Sequence, residues 1–270
     1  MTMTPSPRPT LHVREKGCVG PAFVFLHYYG GSSRTWSPVI DALPADTHTI
    51  AVDLRGWGES DKPDDGYTLA AHADDIEALI EAKGLKHFIL VGHSMGGKIA
   101  QLLASRKPEG LRALILTAPA TPTPLSLPAE VLDGFVNVYD TRESIEGALE
   151  NMLLSRPLPQ ALHEQVVADS LKGARAAKAA WPLVMSQEDI SGELAGIDVP
   201  VLVIAGGADK VDPVEAHQRE LLPRLSDVAF HVLPGFGHLL PLEAPVDIVA
   251  VMSMFLDERV VTGPTHPTNP

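Results

Sequence analysis

Residues 87–107 read HFILVGHSMGGKIAQLLASRK. An apolar run of strand character enters Gly92-His93-Ser94-Met95-Gly96, and a segment with helical spacing leaves it. This is G-x-S-x-G set between a strand and a helix, the context its chemistry requires. A turn this tight holds its serine in a strained backbone conformation, and side chains at the flanking glycine positions would collide with neighbouring elements. The turn lifts Ser94 Oγ clear of the backbone. The helix behind it begins with free N–H groups at the positive end of its dipole, so the Met95 N–H is expected to face a developing oxyanion.

Similar apolar runs recur outward from this turn: TIAVD (49–53), LRALILTA (111–118), PVLVIAG (200–206) and VAFHVLP (228–234). Amphipathic stretches separate them. In LAAHADDIEALIEAKG (69–84), Ile76, Leu79 and Ile80 share a helix face and Gly84 ends the helix. Strand and helix in alternation predict the α/β class, a mostly parallel central sheet flanked by helices on both faces. The alternation stops at the proline-rich APATPTPLSLP (118–128) and resumes at Ile197. In between, RESIEGALENMLL (142–154) places Ile145, Ala148, Leu149, Met152 and Leu153 on one apolar face. The expected organisation is a core of residues 10–119 and 197–259, a helical cap inserted as residues 120–196, and flexible Pro- and Thr-rich ends at 1–9 and 260–270.

A serine hydroxyl is a weak nucleophile near neutral pH, so a base must take its proton and an acid must orient that base. Past the strand VLVIAG comes GADKVDP, with Asp209 at the strand's carboxyl end and Asp212 three residues on. Past VAFHVLP comes GFGH, which puts His238 on a loop before the helical EAPVDIVAVMSMFL. Ser94, Asp209 and His238 then follow in the chain order Ser, Asp, His. Asp212 is the alternative acid. His231, inside a strand, and His217, on a helix, are weaker candidates for the base.

Composition narrows the partners. A formal net charge of -13 with no long basic run disfavours nucleic acid and anionic lipid surfaces. No apolar run reaches membrane-spanning length, and the N-terminus MTMTPSPRPT lacks a signal-peptide pattern. The single cysteine, Cys18, admits no intramolecular disulfide, which suits a reducing cytoplasm. No His, Asp, Glu and Cys cluster has metal-ligand spacing and no phosphate-binding glycine motif occurs, so neither metal nor cofactor is expected.

Taken together, FLH (25–27), DLRGWGES (53–60), GHSMGG (92–97), GGADKVDP (206–213) and PGFGH (234–238) make the chain resemble the α/β-hydrolase superfamily. Its capped, cofactor-free haloperoxidase-like esterases and enol-lactone hydrolases are the nearest in pattern. The resemblance implies the α/β-hydrolase fold and a Ser-His-Asp triad acting on a small ester or lactone. A hydroxynitrile-lyase-like enzyme, a carbon–carbon bond cleaving enzyme and a ligand receptor with vestigial hydrolysis share the same residues and stay open as alternatives. In resembling proteins the histidine of the first loop precedes a glycine and then the residue whose N–H meets the oxyanion. In FLHYYGG (25–31) Tyr29 takes that donor position, with a tyrosine hydroxyl as the alternative donor, and Tyr28 stands where glycine is usual. Asp53 and Arg55 resemble a structural turn, and Trp57 either reaches the pocket rim or packs beneath its loop. In the cap, Trp181 and Met185 either line the acyl pocket with Tyr28 or pack cap against core. Lys172, Arg175 and Lys178 are expected on a solvated helix face, with a grip on an anionic substrate group as the alternative.

Overall fold

The computed structural model describes residues 8–261. Its strands are β1 (Val13–Lys16), β2 (Val19–Leu26), β3 (Thr47–Val52), β4 (Phe88–His93), β5 (Leu111–Thr117), β6 (Val201–Gly206) and β7 (Val228–Leu233). They form one sheet in the order β1-β3-β2-β4-β5-β6-β7, all parallel except β1, which runs antiparallel to β3. The apolar runs of β3, β4, β5 and β6 became buried central strands because both sheet faces are covered, while β7, at the far edge of the sheet, is only half-buried. Period-two alternation divides their side chains: Phe23 and Phe25 face one layer, Val24 and Leu26 the other. β1, with the sequence VREK, has no apolar run to announce it. It is an exposed edge strand that joins through its backbone, with charged side chains on the free edge.

The helices before the break in alternation are α1 (Ser37–Ala42), α2 (Leu69–Ala82) and α3 (Met95–Ser105). Thr68 caps α2 by accepting the Ala71 N–H at 3.1 Å, and the chain turns out of it at Gly84, whose φ is +61°. Between β5 and β6 lie α4 (Ala129–Phe135), α5 (Arg142–Ala148), α6 (Gln160–Lys172) and α7 (Arg175–Leu183). After β6 come α8 (Val214–Ala216), α9 (Leu240–Glu243) and α10 (Pro245–Leu256). One face of the sheet is covered by α1 and α10, through Val39, Ile248 and Met252. The other is covered by α2 and α3, through Ile76, Ile80, Ile99 and Leu103. The expected flexible ends fall outside the described residues, except residues 8–9 and 260–261; the latter belong to the π-helical turn Asp257–Val261 that extends α10.

Every regular element between β5 and β6 is a helix, though the predicted helix over 142–154 changes character midway. α5 starts at a Thr141–Ser144 capping box and passes into a π-helical turn at Leu149–Leu153. This segment shares its buried residues with the sheet: Leu149, Val166, Val167 and Ala177 belong to the same cluster as Val24 and Ile99. Polar ties add direction. Asp169 of α6 accepts the Ser32 hydroxyl at 2.8 Å and Arg34 Nε at 3.1 Å, and the Ser170 hydroxyl donates to the Gly30 carbonyl at 2.9 Å.

Candidate active site

The β4–α3 turn carries Ser94 at φ 52° and ψ −117°, a left-handed conformation that costs a non-glycine residue about 1–3 kcal/mol. The flanking glycines are required by space. A Cβ on Gly92 would lie 2.5 Å from the Gly96 carbonyl oxygen, and one on Gly96 would lie 2.5 Å from that of Leu26. Held this way, Ser94 Oγ lies 2.8 Å from His238 Nε2, and His238 Nδ1 lies 2.9 Å from Asp209 Oδ2. All three residues are buried.

An ionised carboxylate only accepts, so the proton on His238 resides at Nδ1 and the Nε2 lone pair faces the serine hydroxyl. The other Asp209 oxygen accepts the backbone N–H groups of Val211 and Asp212 at 2.8 and 3.0 Å. Burial pushes the Asp209 carboxyl up, but the His238 charge and these hydrogen bonds outweigh it and hold the carboxyl below its ordinary range. Burial likewise works to lower His238, and the Asp209 charge and hydrogen bond reverse the sign and raise it. The helical segment holds this arrangement from above: the Leu153 carbonyl accepts the N–H groups of His238 and Leu239 at 3.0 and 3.2 Å. Lys210 Nζ donates to the Asn151 carbonyl at 3.0 Å, so the acid's loop is fastened to the same segment.

The Tyr28–Tyr29 loop is set by a buried histidine. His27 Nε2 accepts the Leu54 N–H at 3.1 Å, so Nδ1 carries its proton and donates to the Tyr28 carbonyl at 2.7 Å. The Gly31 N–H donates to that same carbonyl at 3.0 Å. Because a trans peptide is planar, fixing this carbonyl also fixes the Tyr29 N–H in the opposite direction. That N–H donates to no acceptor among the described residues. Tyr28 has no positive φ, so a side chain is tolerated where glycine is usual; the left-handed residue of the loop is Gly30, at φ +94°. The Tyr28 ring rests 5.4 Å from that of His93, and a Cβ on Gly31 would meet it at 2.7 Å. The need for glycine has therefore moved to Gly30 and Gly31, two and three residues along. The Tyr29 hydroxyl points away from Ser94 into the helical segment, donating to the Lys178 and Phe135 carbonyls at 2.8 and 3.0 Å.

A family model described as alpha/beta hydrolase fold matches residues 21–151. RutD of Variovorax paradoxus (strain S110) is 32% identical over 230 residues, covering 81% of this chain and 85% of that one. The chain belongs to the α/β-hydrolase fold family. The 2-(acetamidomethylene)succinate hydrolase of Mesorhizobium japonicum (strain LMG 29417 / CECT 9101 / MAFF 303099) is 29% identical over 267 residues, covering 93% of this chain and 92% of its own. Among solved structures, Est816, described as an N-acyl homoserine lactone degrading enzyme, superposes with a TM-score of 0.80 at 27% identity, covering 92% of this chain and 97% of that one. The protein is thus an enzyme, a hydrolase.

Ser94 and His238 of this α/β-hydrolase open onto a cavity walled by Tyr28, Tyr29, Phe135, Val138, Tyr139, Met152 and Trp181. Trp181 and Tyr28 thus stand at the pocket. Met185 does not: it is 1% exposed and absorbed in the main core, because the short 3-10 turn Met185–Gln187 folds inward beneath α7. Of the three cations expected on a solvated face, Lys172 pairs with Glu59 at the surface, but Lys178 is buried. Its ammonium donates to the Tyr139 carbonyl at 2.7 Å. The Tyr139 hydroxyl in turn donates to the Tyr29 carbonyl at 2.8 Å, so Lys178 braces the first loop through Tyr139.

Trp57 is packed beneath its loop at 1% exposure. Asp53 accepts the Ser33 and Glu59 N–H groups, and Arg55 forks onto Asp75 at 2.6 and 2.7 Å; both hold loops in place. His231 is exposed on β7, and His217 is buried with Nε2 on the Pro119 carbonyl at 2.9 Å. His93 packs 5.2 Å from the His238 ring, and burial with the His238 charge pushes it down to about 3, leaving it neutral. Sequence reasoning passed over Lys98, which also lines the cavity; its signal was a lysine one turn after the serine, the one charged residue of α3. Among the described residues no group of three or more His, Cys, Asp or Glu side chains could hold a metal, and no helix is long and apolar enough to cross a membrane.

Proposed function

We propose that this α/β-hydrolase cleaves small carboxylic esters or lactones through an acyl-enzyme on Ser94, with segment 120–196 acting as a cap over the site. Ser94 Oγ attacks the scissile carbonyl as its proton passes to His238 Nε2. His238 then protonates the departing alcohol, and Asp209 stabilises the imidazolium formed in between. The Met95 and Tyr29 N–H groups receive the tetrahedral oxyanion, the first as an unsatisfied donor at the start of α3, the second as the peptide aimed by His27. Water deprotonated by His238 attacks the acyl carbonyl and releases the acid. In a lactone the alcohol stays attached, so one hydroxy acid leaves.

The observation that carries this reading is the unbroken hydrogen-bond line from Ser94 Oγ through His238 to Asp209, at 2.8 and 2.9 Å, beside a mainly apolar cavity. Two similar proteins, a 2-(acetamidomethylene)succinate hydrolase and an N-acyl homoserine lactone degrading enzyme, support a small acyl-transfer substrate. The lone cysteine, Cys18, is exposed and free, which fits a reducing cytoplasmic setting. A panel of short-chain p-nitrophenyl esters and lactones tests the proposal. Turnover is expected in the native protein and not in Ser94→Ala; equal rates in the two would overturn it.

A further inference from the structure

Lys98 has surroundings that ester hydrolysis by the triad leaves unexplained. It stands one helical turn beyond Ser94, its backbone N–H reaching the Ser94 carbonyl at 3.1 Å, and its side chain lines the cavity with Ser94, His238 and Asp212. The residue is 1% exposed. Its ammonium donates to the Thr123 and Ser186 carbonyls at 3.2 and 3.3 Å, both at the long end of the range. One of its three N–H donors remains for the cavity.

The charge is also poorly compensated. Among the described residues no carboxylate lies within 4.0 Å of Lys98 Nζ. Glu188 and Asp189 are near enough to favour the charged form, yet Glu188 accepts the Leu69 N–H at 2.9 Å and Asp189 accepts the Ser191 N–H at 2.9 Å. The first turn of α3 presents the positive end of the helix dipole, the wrong end for a cation. Burial pushes the ammonium down to about 8 against the pull of Glu188, Asp189 and Asp212. A buried cation without a close counterion destabilises the fold. An anion entering the cavity would supply what is missing.

Asp212 offers the complementary group. Its carboxyl is buried, lines the same cavity and takes no hydrogen bond among the described residues. Burial and the neighbouring Asp209 charge push it up to about 7 against the opposing pull of His238 and Lys98. Near neutral pH a large share of it keeps its proton and can donate beside Lys98.

We propose that Lys98, with the Asp212 carboxyl lining the same cavity, binds a free carboxylate of the substrate, so that preferred substrates are short half-esters or lactones carrying a carboxylate within a few carbons of the scissile carbonyl. The short spacing follows from the placement of Lys98, whose N–H reaches the Ser94 carbonyl at 3.1 Å and whose side chain lines the same cavity as Ser94. The net charge of -13 opposes anions at long range, but screening over about 8 Å at physiological salt leaves the unpaired ammonium to dominate inside the cavity. The proposal rests on the hydrolase reading above, and its test separates the two.

Native protein, Lys98→Met and Lys98→Gln are compared on matched pairs: mono-p-nitrophenyl glutarate against p-nitrophenyl pentanoate, and O-butyrylglycolate against ethyl butyrate. In at least one pair the native kcat/KM ratio is expected to favour the acid, and both variants to lower that ratio by about tenfold or more. In parallel, calorimetry follows glutarate binding to Ser94→Ala with and without Lys98→Met, where the second change is expected to weaken binding about tenfold or more. Unchanged ratios in both pairs, with Ser94-dependent turnover present, would overturn the carboxylate site and leave the hydrolase intact. Absence of Ser94-dependent turnover would overturn the hydrolase reading, and glutarate binding unaltered by Lys98→Met would then overturn the carboxylate site on its own.

Discussion

Replacing Tyr29 by phenylalanine deletes one hydroxyl and leaves the backbone N–H proposed to meet the oxyanion. That hydroxyl is shared between the Lys178 and Phe135 carbonyls at 2.8 and 3.0 Å, so a single proton bridges α7 and α4. The loss is about 1 kcal/mol for the hydrogen bond, rising to about 2 kcal/mol if a carbonyl is left without a partner. In a domain of this size that corresponds to a drop in Tm of roughly 2–8 °C. Thermal melts followed by circular dichroism read this directly. Because the hydroxyl points away from Ser94, kcat on p-nitrophenyl butyrate should stay within about threefold of the native value. A hundredfold loss of kcat at unchanged KM is about 2.7 kcal/mol of transition-state stabilisation, the size of an oxyanion donor. That result would refute the reasoning, because it would put the hydroxyl at the reacting centre.

Asp209→Asn should keep the fold and lower kcat by about 10⁴, since an amide can hold the His238 ring in the wrong tautomer; stopped assays on the same ester measure it. The His238 value is raised above 6.5, and the base works only when neutral, so kcat/KM should climb with pH through a midpoint above 6.5. In Asp209→Asn the residual activity should show a lower midpoint, because the charge that raises it is gone. Asp212 has its folded value, about 7, above its ordinary 3.8, so its contribution to stability is fully present below 3.8 and lost as pH rises through about 7. Asp212→Asn should therefore raise Tm by about 2 °C or more at pH 8 and by less at pH 5, checked by melts at the two pH values.

The sheet was readable because its central strands are buried on both faces and so consist of unbroken apolar runs such as FILV and LVIA. β1 was not, because an edge strand with the sequence VREK gains its place through backbone pairing with β3 and carries no hydrophobic signal. The serine turn could be read residue by residue, since each glycine there answers a local steric demand. Tyr28 could not be judged the same way. Whether a side chain fits at that position depends on the loop's backbone, which His27 and Gly31 set by gripping the Tyr28 carbonyl, while Leu54, distant in sequence, fixes the His27 ring.

Residues of the helical segment 120–196 were the hardest to assign. A lysine on α7 reads as solvated from its spacing, yet the Tyr139 carbonyl draws the Lys178 ammonium inward and its stem is covered. Met185 and Trp181 are four residues apart and equally apolar, and only the inward fold of the turn after α7 separates a core residue from a cavity wall. The convergence of Lys98 and Asp212 on one cavity likewise joins α3 to the loop after β6, a proximity that no sequence spacing encodes.

The central claim is that Ser94 becomes acylated. Native protein mixed with p-nitrophenyl butyrate, quenched in acid within milliseconds and examined by intact-protein and peptide mass spectrometry tests it most directly. The account predicts a butyryl adduct on the peptide carrying Ser94, transient in the native protein and absent from Ser94→Ala. Ester turnover with no adduct on Ser94 at any quench time, in the native protein or in an Asp209→Asn variant slowed in deacylation, would contradict it.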